Sequence, residues 1–149
     1  MTDISRAGDE LLDAWLKLTS TLWNTRLVKS LTYNETHVMG ILLRHKDTEP
    51  MTATDLIRRT RLLKSQMNKL LTTLESREFI TRSRCELDKR LIHIHLTDAG
   101  KEAYLKEHEG VEAFLQKLID KLGAERALSV ARELSDINEI LDEIIPIPK

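Results

Sequence analysis

Apolar side chains recur along most of this chain at spacings of three and four, and a single stretch switches to a period of two. From Asp9 to Ser30, Leu11, Trp15, Leu18 and Leu22 form one stripe, and Leu12, Leu16, Trp23 and Leu27 form a second beside it. That pattern predicts a long helix buried between partners rather than lying on a surface, with its start marked by Gly8 and Asp9. A second helix is predicted over Asn34–Lys46, capped by Thr32 or Asn34. Its buried stripe is His37 or Val38, then Ile41, Leu42 and His45. Asp47-Thr48-Glu49-Pro50 reads as a turn, because Pro50 blocks helix continuation. Two short helical patterns follow. The first carries Ala53, Leu56 and Ile57 behind a Thr52 or Thr54 cap, has Asp55 in its first turn, and ends near Arg59–Thr60. The second starts near Leu63–Lys64 and presents Met67, Leu70, Leu71 and Leu74 as one apolar stripe. Then the period becomes two: Phe79–Arg84 and Leu91–Leu96 read as strands of a hairpin whose tip is Cys85–Arg90, and Met51 is read as the start of a very short strand pairing with it. Thr97 caps a further helix predicted to reach about Leu122, weakened in the middle at Gly110. Gly123 separates it from a last helix, Ala124–Ile144, whose Val130, Leu134, Ile137, Leu141 and Ile144 form a heptad seam before Pro146 and Pro148.

Helix, turn, helix, then a two-stranded wing is the layout of a winged helix-turn-helix, so the expected fold is mainly α with a small β-wing. The second short helix turns Lys64, Ser65, Gln66, Asn68, Lys69, Thr72 and Thr73 away from its stripe. These side chains suit base edges and phosphates, although an ordinary solvated helix face has the same look. Charge favours the first reading. Thr52–His95 holds ten Lys/Arg against five acids, a net +5, in a chain whose net charge is −1. A basic island in an acidic chain is the footprint of a nucleic-acid surface. The candidate DNA contacts are Thr54, Lys64, Ser65, Gln66, Asn68, Lys69, Thr72, Arg82, Arg84, Asp88, Lys89 and Arg90. Asp88 lies two residues before Arg90, close enough to orient its guanidinium or to pair with a basic residue on the reading helix.

At this point the run resembles the MarR family of bacterial transcriptional regulators. Leu63–Glu75 matches the reading-helix pattern of that family. Asp88-Lys89-Arg90, Leu96-Thr97 and Gly100 match its wing signature. The resemblance covers roughly Asp9 to Ile145. It implies one domain over residues 1–149: a DNA-binding lobe at about 32–100, and dimerisation helices at about 9–30 and 101–145. It also implies a homodimer on double-stranded DNA, a repressor's role, release by a small-molecule effector, and an Arg90 that enters the minor groove. Leu11, Leu18, Val130, Leu134, Ile137, Leu141 and Ile144 are the expected dimer contacts. Two positions depart from the family. Glu78 stands where a glycine is usual, so either the turn is built differently or Glu78 bears a strained backbone; Cys85 stands where an acid is frequent.

A chain of 149 residues has room for one sizeable core, and with 4% aromatic residues that core must be built of Leu and Ile. One cysteine excludes an internal disulfide framework and suits a reducing cytoplasm. Membrane-length apolar runs and a signal-peptide pattern are both missing. No nucleophile–base pair or phosphate loop suggests an enzyme, and no cofactor is implied. His93 and His95 share a strand face, but a metal site wants three or four ligands, so they are read as solvent-facing. Cys85 beside Arg84 and Arg90 invites a redox role that Glu86 and Asp88 oppose. Trp15, Trp23, Tyr33 and His37 are candidates for lining an effector cavity, with core packing as the plainer reading. A winged-helix protein-interaction module without DNA binding is the rival function, and the basic island argues against it.

Overall fold

The computed structural model describes residues 2–25, 27–45 and 49–146, apart from the side chain of Trp23. The described elements are helices α1 (Asp3–Asn24), α2 (Tyr33–Arg44), α3 (Ala53–Thr60) and α4 (Lys64–Ser76), strands β1 (Ile80–Arg84) and β2 (Ile92–Leu96), then α5 (Asp98–Leu122) and α6 (Ala124–Ile144). The strands pair antiparallel, with Ile80 opposite Leu96 and Arg84 opposite Ile92. This is a winged helix-turn-helix with long helices at both ends.

Side-chain caps set where the short helices begin. Thr32 Oγ1 accepts from the Glu35 amide at 3.1 Å while Glu35 Oε2 accepts from the Thr32 amide at 2.8 Å. Thr52 and Asp55 repeat this reciprocal pair at the start of α3, so two orphan amides are satisfied in each helix. Burial alone would raise the Asp55 pKa, but the hydrogen bonds from Thr52 and the charges of Arg58 and Arg59 outweigh it and hold the carboxyl below its ordinary value. At the far end of α4, the Phe79 amide bonds to Leu74 O at 2.9 Å and the Glu78 amide to Glu75 O at 2.9 Å. That 6→1 and 5→2 pair is a Schellman ending. Glu78 occupies its left-handed position, with φ 61°. The strained alternative raised by the missing glycine is therefore the one adopted.

The core lies where α2, α3, α4, the wing base and the start of α5 meet. Val38, Met39, Leu56, Met67, Leu71, Leu74 and Ile80 are its fully enclosed members, joined by Ile94 and Tyr104. Truncating such a side chain to alanine costs roughly 2–5 kcal/mol. Gly100 fits there because a Cβ would overlap the Phe79 carbonyl oxygen, which ties the wing base directly onto α5.

Several boundaries differ from the sequence reading. The first helix begins at Asp3, capped by Thr2 Oγ1 on the Ser5 amide, and runs through Gly8; it stops at Asn24 rather than Ser30. The second stops at Arg44, and Lys46, Asp47, Thr48 and Pro148 lie outside the described residues. Met51 forms no strand: its carbonyl accepts one bond from the Ile94 amide at 2.8 Å. Val38, not His37, is buried in α2. α5 passes unbroken through Gly110. α6 contributes no buried residue among those described.

Candidate nucleic-acid interface

α4 is placed by its apolar stripe. Met67, Leu71 and Leu74 are buried at i, i+4 and i+7, so the opposite face must turn outward. Lys64, Ser65, Gln66, Asn68, Lys69 and Thr72 are all exposed on it. Leu63, which precedes the helix, has no side-chain acceptor for the first amides. Gln66 supplies one instead, its Oε1 accepting from the Leu63 amide at 3.0 Å. Gln66 is thus partly committed to its own helix, which the sequence reading did not foresee.

The wing closes over this face. Arg82 reaches from β1 to α4, donating from Nη2 to Thr72 Oγ1 at 3.3 Å and lying 3.5 Å from Glu75 Oε2. Between α3, α4 and the wing runs a groove of about 540 Å³. Thr54, Asn68, Arg82 and Arg90 line it together, with Asp55. Asp88 Oδ1 accepts from the Arg90 backbone amide at 3.0 Å and from its Nε at 3.2 Å, and Nη2 lies 3.4 Å from Oδ2. Those bonds hold the Asp88 carboxyl below its ordinary pKa. Of the two pairings open to Asp88, orienting Arg90 is the one found. The Arg90 side chain stays 91% exposed, so its guanidinium is aimed without being covered. Arg84 and Lys89 are exposed nearby.

The basic island divides on inspection. Arg58 pairs with Asp55 at 3.3 Å. Arg77 lies 3.6 Å from the buried Glu35, donates to Ser30 O at 3.2 Å and covers the Phe79 ring. Arg61, with φ 58°, donates to Asp142 and to the Ile145 carbonyl. Arg59, Lys64, Lys69, Arg84 and Lys89 have no ion pair among the described residues. Within the island, four of those five lie on α4 and the wing.

Trp15 is exposed on α1, Tyr33 donates its hydroxyl to Leu22 O at 2.7 Å, and His37 is exposed on α2. Partial desolvation of its ring by neighbouring atoms, then the charge of Arg44, lowers the His37 pKa. The Trp23 side chain lies outside the described residues. Trp15, Tyr33 and His37 line neither the groove nor a second cleft of about 750 Å³ behind the wing. His93 lines that second cleft and is half-buried, not solvent-facing; its Nε2 has no partner among the described residues, whereas His95 is exposed. Among the described residues no cluster of three or more His, Cys, Asp or Glu could hold a metal. Leu11, Leu18, Val130, Leu134, Ile137 and Ile144 are exposed in the single chain, and Leu141 is half-buried.

Sequence reasoning missed Glu35, Glu107, Arg61 and Asp142. The Thr32-x-x-Glu35 spacing was available as a signal for the first. Glu107 accepts from the amides of Lys29 and Ser30, both at 2.7 Å, and nothing local announces partners so distant in sequence. No helix is long and apolar enough to cross a membrane among the described residues.

Comparison with known proteins agrees with this geometry. Residues 29–91 match the family model described as the MarR family. No curated protein matches the sequence. Among solved structures, the transcriptional regulator BldR from Sulfolobus solfataricus aligns with a TM-score of 0.72 at 20% identity, over 96% of this chain and 99% of that one. Streptococcus pneumoniae FabT, solved in complex with DNA, gives a TM-score of 0.68 at 20% identity, over 96% and 100%. Bordetella bronchiseptica BpsR, whose DNA binding is regulated by 6-hydroxynicotinic acid, gives 0.72 at 17% identity, over 93% and 96%. The segment 29–91 therefore matches the MarR family, and the chain as a whole has the winged helix-turn-helix fold of these solved structures.

Proposed function

We propose that this chain is a sequence-specific, double-stranded DNA-binding regulator that works as a homodimer on a pseudo-palindromic operator. We read it as a repressor whose affinity falls when a small molecule binds, and not as an enzyme. The observation that carries the DNA reading is the meeting of Asn68, from α4's exposed polar face, with Thr54, Arg82 and the Asp88-held Arg90 in one open groove. In this reading Gln66, Asn68 and Lys69 meet base edges, Ser65 and Lys64 meet phosphate, and Thr54 and Thr72 flank them. Arg82, Arg84, Lys89 and Arg90 serve the wing. Residues 32–100 form the reading lobe, and the first helix with residues 101–145 forms the dimer layer. The apolar residues exposed on α1 and α6 support that layer. FabT's complex with DNA and the ligand regulation of BpsR support the reading by likeness of fold. Trp15, Trp23, Tyr33 and His37 remain the proposed effector contacts.

The test is selection from a random duplex library, followed by affinities for the selected and a scrambled duplex. Asn68→Ala and Gln66→Ala should each cost about 1–3 kcal/mol on the selected duplex and less on the scrambled one. An unchanged ratio in both variants would show that α4 is not the reader.

A further inference from the structure

Arg61 stands in the turn between α3 and α4, three residues before the reading helix begins, and it adopts a left-handed backbone, φ 58° and ψ 18°. Such a conformation is costly for a side chain other than Gly, Asn or Asp, so something must hold it. The holding groups come from the other end of the chain. Nε donates to Asp142 Oδ1 at 2.9 Å, Nη2 makes a second short bond to the same oxygen, and Nη1 donates to the Ile145 carbonyl at 2.7 Å. Asp142 lies in the last turn of α6, and Ile145 is its C-cap. The Ile145 carbonyl is one of the acceptors a helix end leaves unpaired, and the C-terminal end of the helix dipole favours a cation there. All three nitrogens of one planar fork are thus engaged, and the Arg61 side chain is only 25% exposed. Because α6 buries no residue of its own among those described, this fork is a principal restraint between the end of α6 and the lobe that carries α4.

We propose that Arg61, Asp142 and the Ile145 carbonyl form a latch that fixes the angle between α6 and α4, making Arg61 a positioning residue. It rests on the DNA-binding, homodimeric reading in one respect. With α6 in the dimer layer, the angle fixes the separation of the two reading helices, and hence the half-site spacing the dimer accepts. A surface ion pair that only adds stability would have no such effect.

Two readouts separate the latch from the DNA reading. Spin labels at Thr73→Cys and Asn138→Cys, in full-length Cys85→Ser protein diluted with unlabelled chains, report the α4–α6 distance without DNA. Asp142→Ala should roughly double the width of that distance distribution and leave helix content unchanged, since alanine suits an exposed helix position. Arg61→Ala should do the same. Unchanged widths in both variants would overturn the latch. The second readout is affinity for selected duplexes whose half-site spacer is lengthened or shortened by one base pair. Wild type should lose about tenfold or more. Asp142→Ala should lose about threefold or less, with affinity for an isolated half-site unaltered. Broadened distances with wild-type spacer discrimination would overturn the link to spacing. If wild type binds no duplex, the DNA reading fails, and the distance measurement still decides the latch.

Discussion

Arg90 and Arg77 carry the same guanidinium and end in opposite circumstances, which net charge along the sequence could not separate. Arg77 is turned inward to Glu35, Ser30 and Phe79, whereas Arg90 is steadied by Asp88 and left open to solvent. A long planar cation at a hairpin edge can enter a narrow A·T-rich minor groove, where the negative potential is enhanced. Arg90→Ala should therefore weaken binding to the selected duplex, erase a preference for A·T-rich flanks, and lower the salt slope by about one. Affinities at two salt concentrations with A·T-rich and G·C-rich flanks check this; four equal values for wild type and variant would remove Arg90 from the interface. Glu107 is the buried counterpart. Burial alone would raise its pKa, but the amides of Lys29 and Ser30 and the Lys29 charge outweigh that and lower it. A lowered carboxyl contributes stability that is present above the unfolded pKa and lost as pH falls through the folded value. Glu107→Gln should thus cost about 1–3 kcal/mol at pH 7. That gap should narrow as pH drops below about 4, the range where a carboxylate takes up its proton. Denaturant unfolding at several pH values measures it, and a gap independent of pH would contradict the assignment.

At the scale of elements, the α4–β1 junction is where sequence and structure disagree most usefully. The Schellman ending wants a residue without a Cβ at its left-handed position, and Glu78 occupies it with φ 61°. The Thr97 hydroxyl, donating to Glu78 O at 2.6 Å and accepting from the Gly100 amide at 3.0 Å, helps keep the turn closed. Glu78→Gly should raise stability by about 0.5–1 kcal/mol in thermal or denaturant unfolding; a loss instead would mean the Glu78 side chain stabilises the turn in another way. The same junction shows what was legible. Capping threonines, the period-two strands and the left-handed departure at Glu78 are local signals, and they placed α2 through α6 within a few residues. The ends of α1 were not local. Gly8 looked like a start, yet the Thr2 cap and the Arg6–Glu10 pair, which spans it, carry the helix through it. Leu27 looked like its continuation, yet Glu107 takes the amides of Lys29 and Ser30 out of helical pairing. At the interface, residue types gave the polar face of α4 and the wing, but which arginines stay free depends on Glu35, Asp142 and Glu75, whose proximity only the fold creates.

Taken as a whole molecule, the chain divides into a lobe with an enclosed core and a framework that lacks one. Among the described residues, the largest fully enclosed side chains all belong to α2, α3, α4 or β1, while Leu11 is 63% exposed, Leu18 50% and Leu134 49%. Singly scattered apolar residues are normal on a surface, but aligned rows along two long helices are not. The α6 seam has the four-three repeat that packs helices at a shallow angle, and a second copy presents the same rows. Placing charges in such a layer removes it without touching the lobe's core. Ile137→Asp combined with Leu141→Asp should therefore sediment as a monomer or fail to fold. If monomeric, it should keep the helix content of the lobe and bind a palindromic duplex no better than an isolated half-site, because the gain from linking two reading helices is gone. Lys64→Ala and Lys69→Ala provide the contrast: they should weaken duplex binding while leaving the dimer whole. Sedimentation of the double aspartate variant as an intact dimer would show that α6 is not the joint, and would shift the dimer contact to α1 and the distal half of α5, where Leu115 and Leu118 are also exposed.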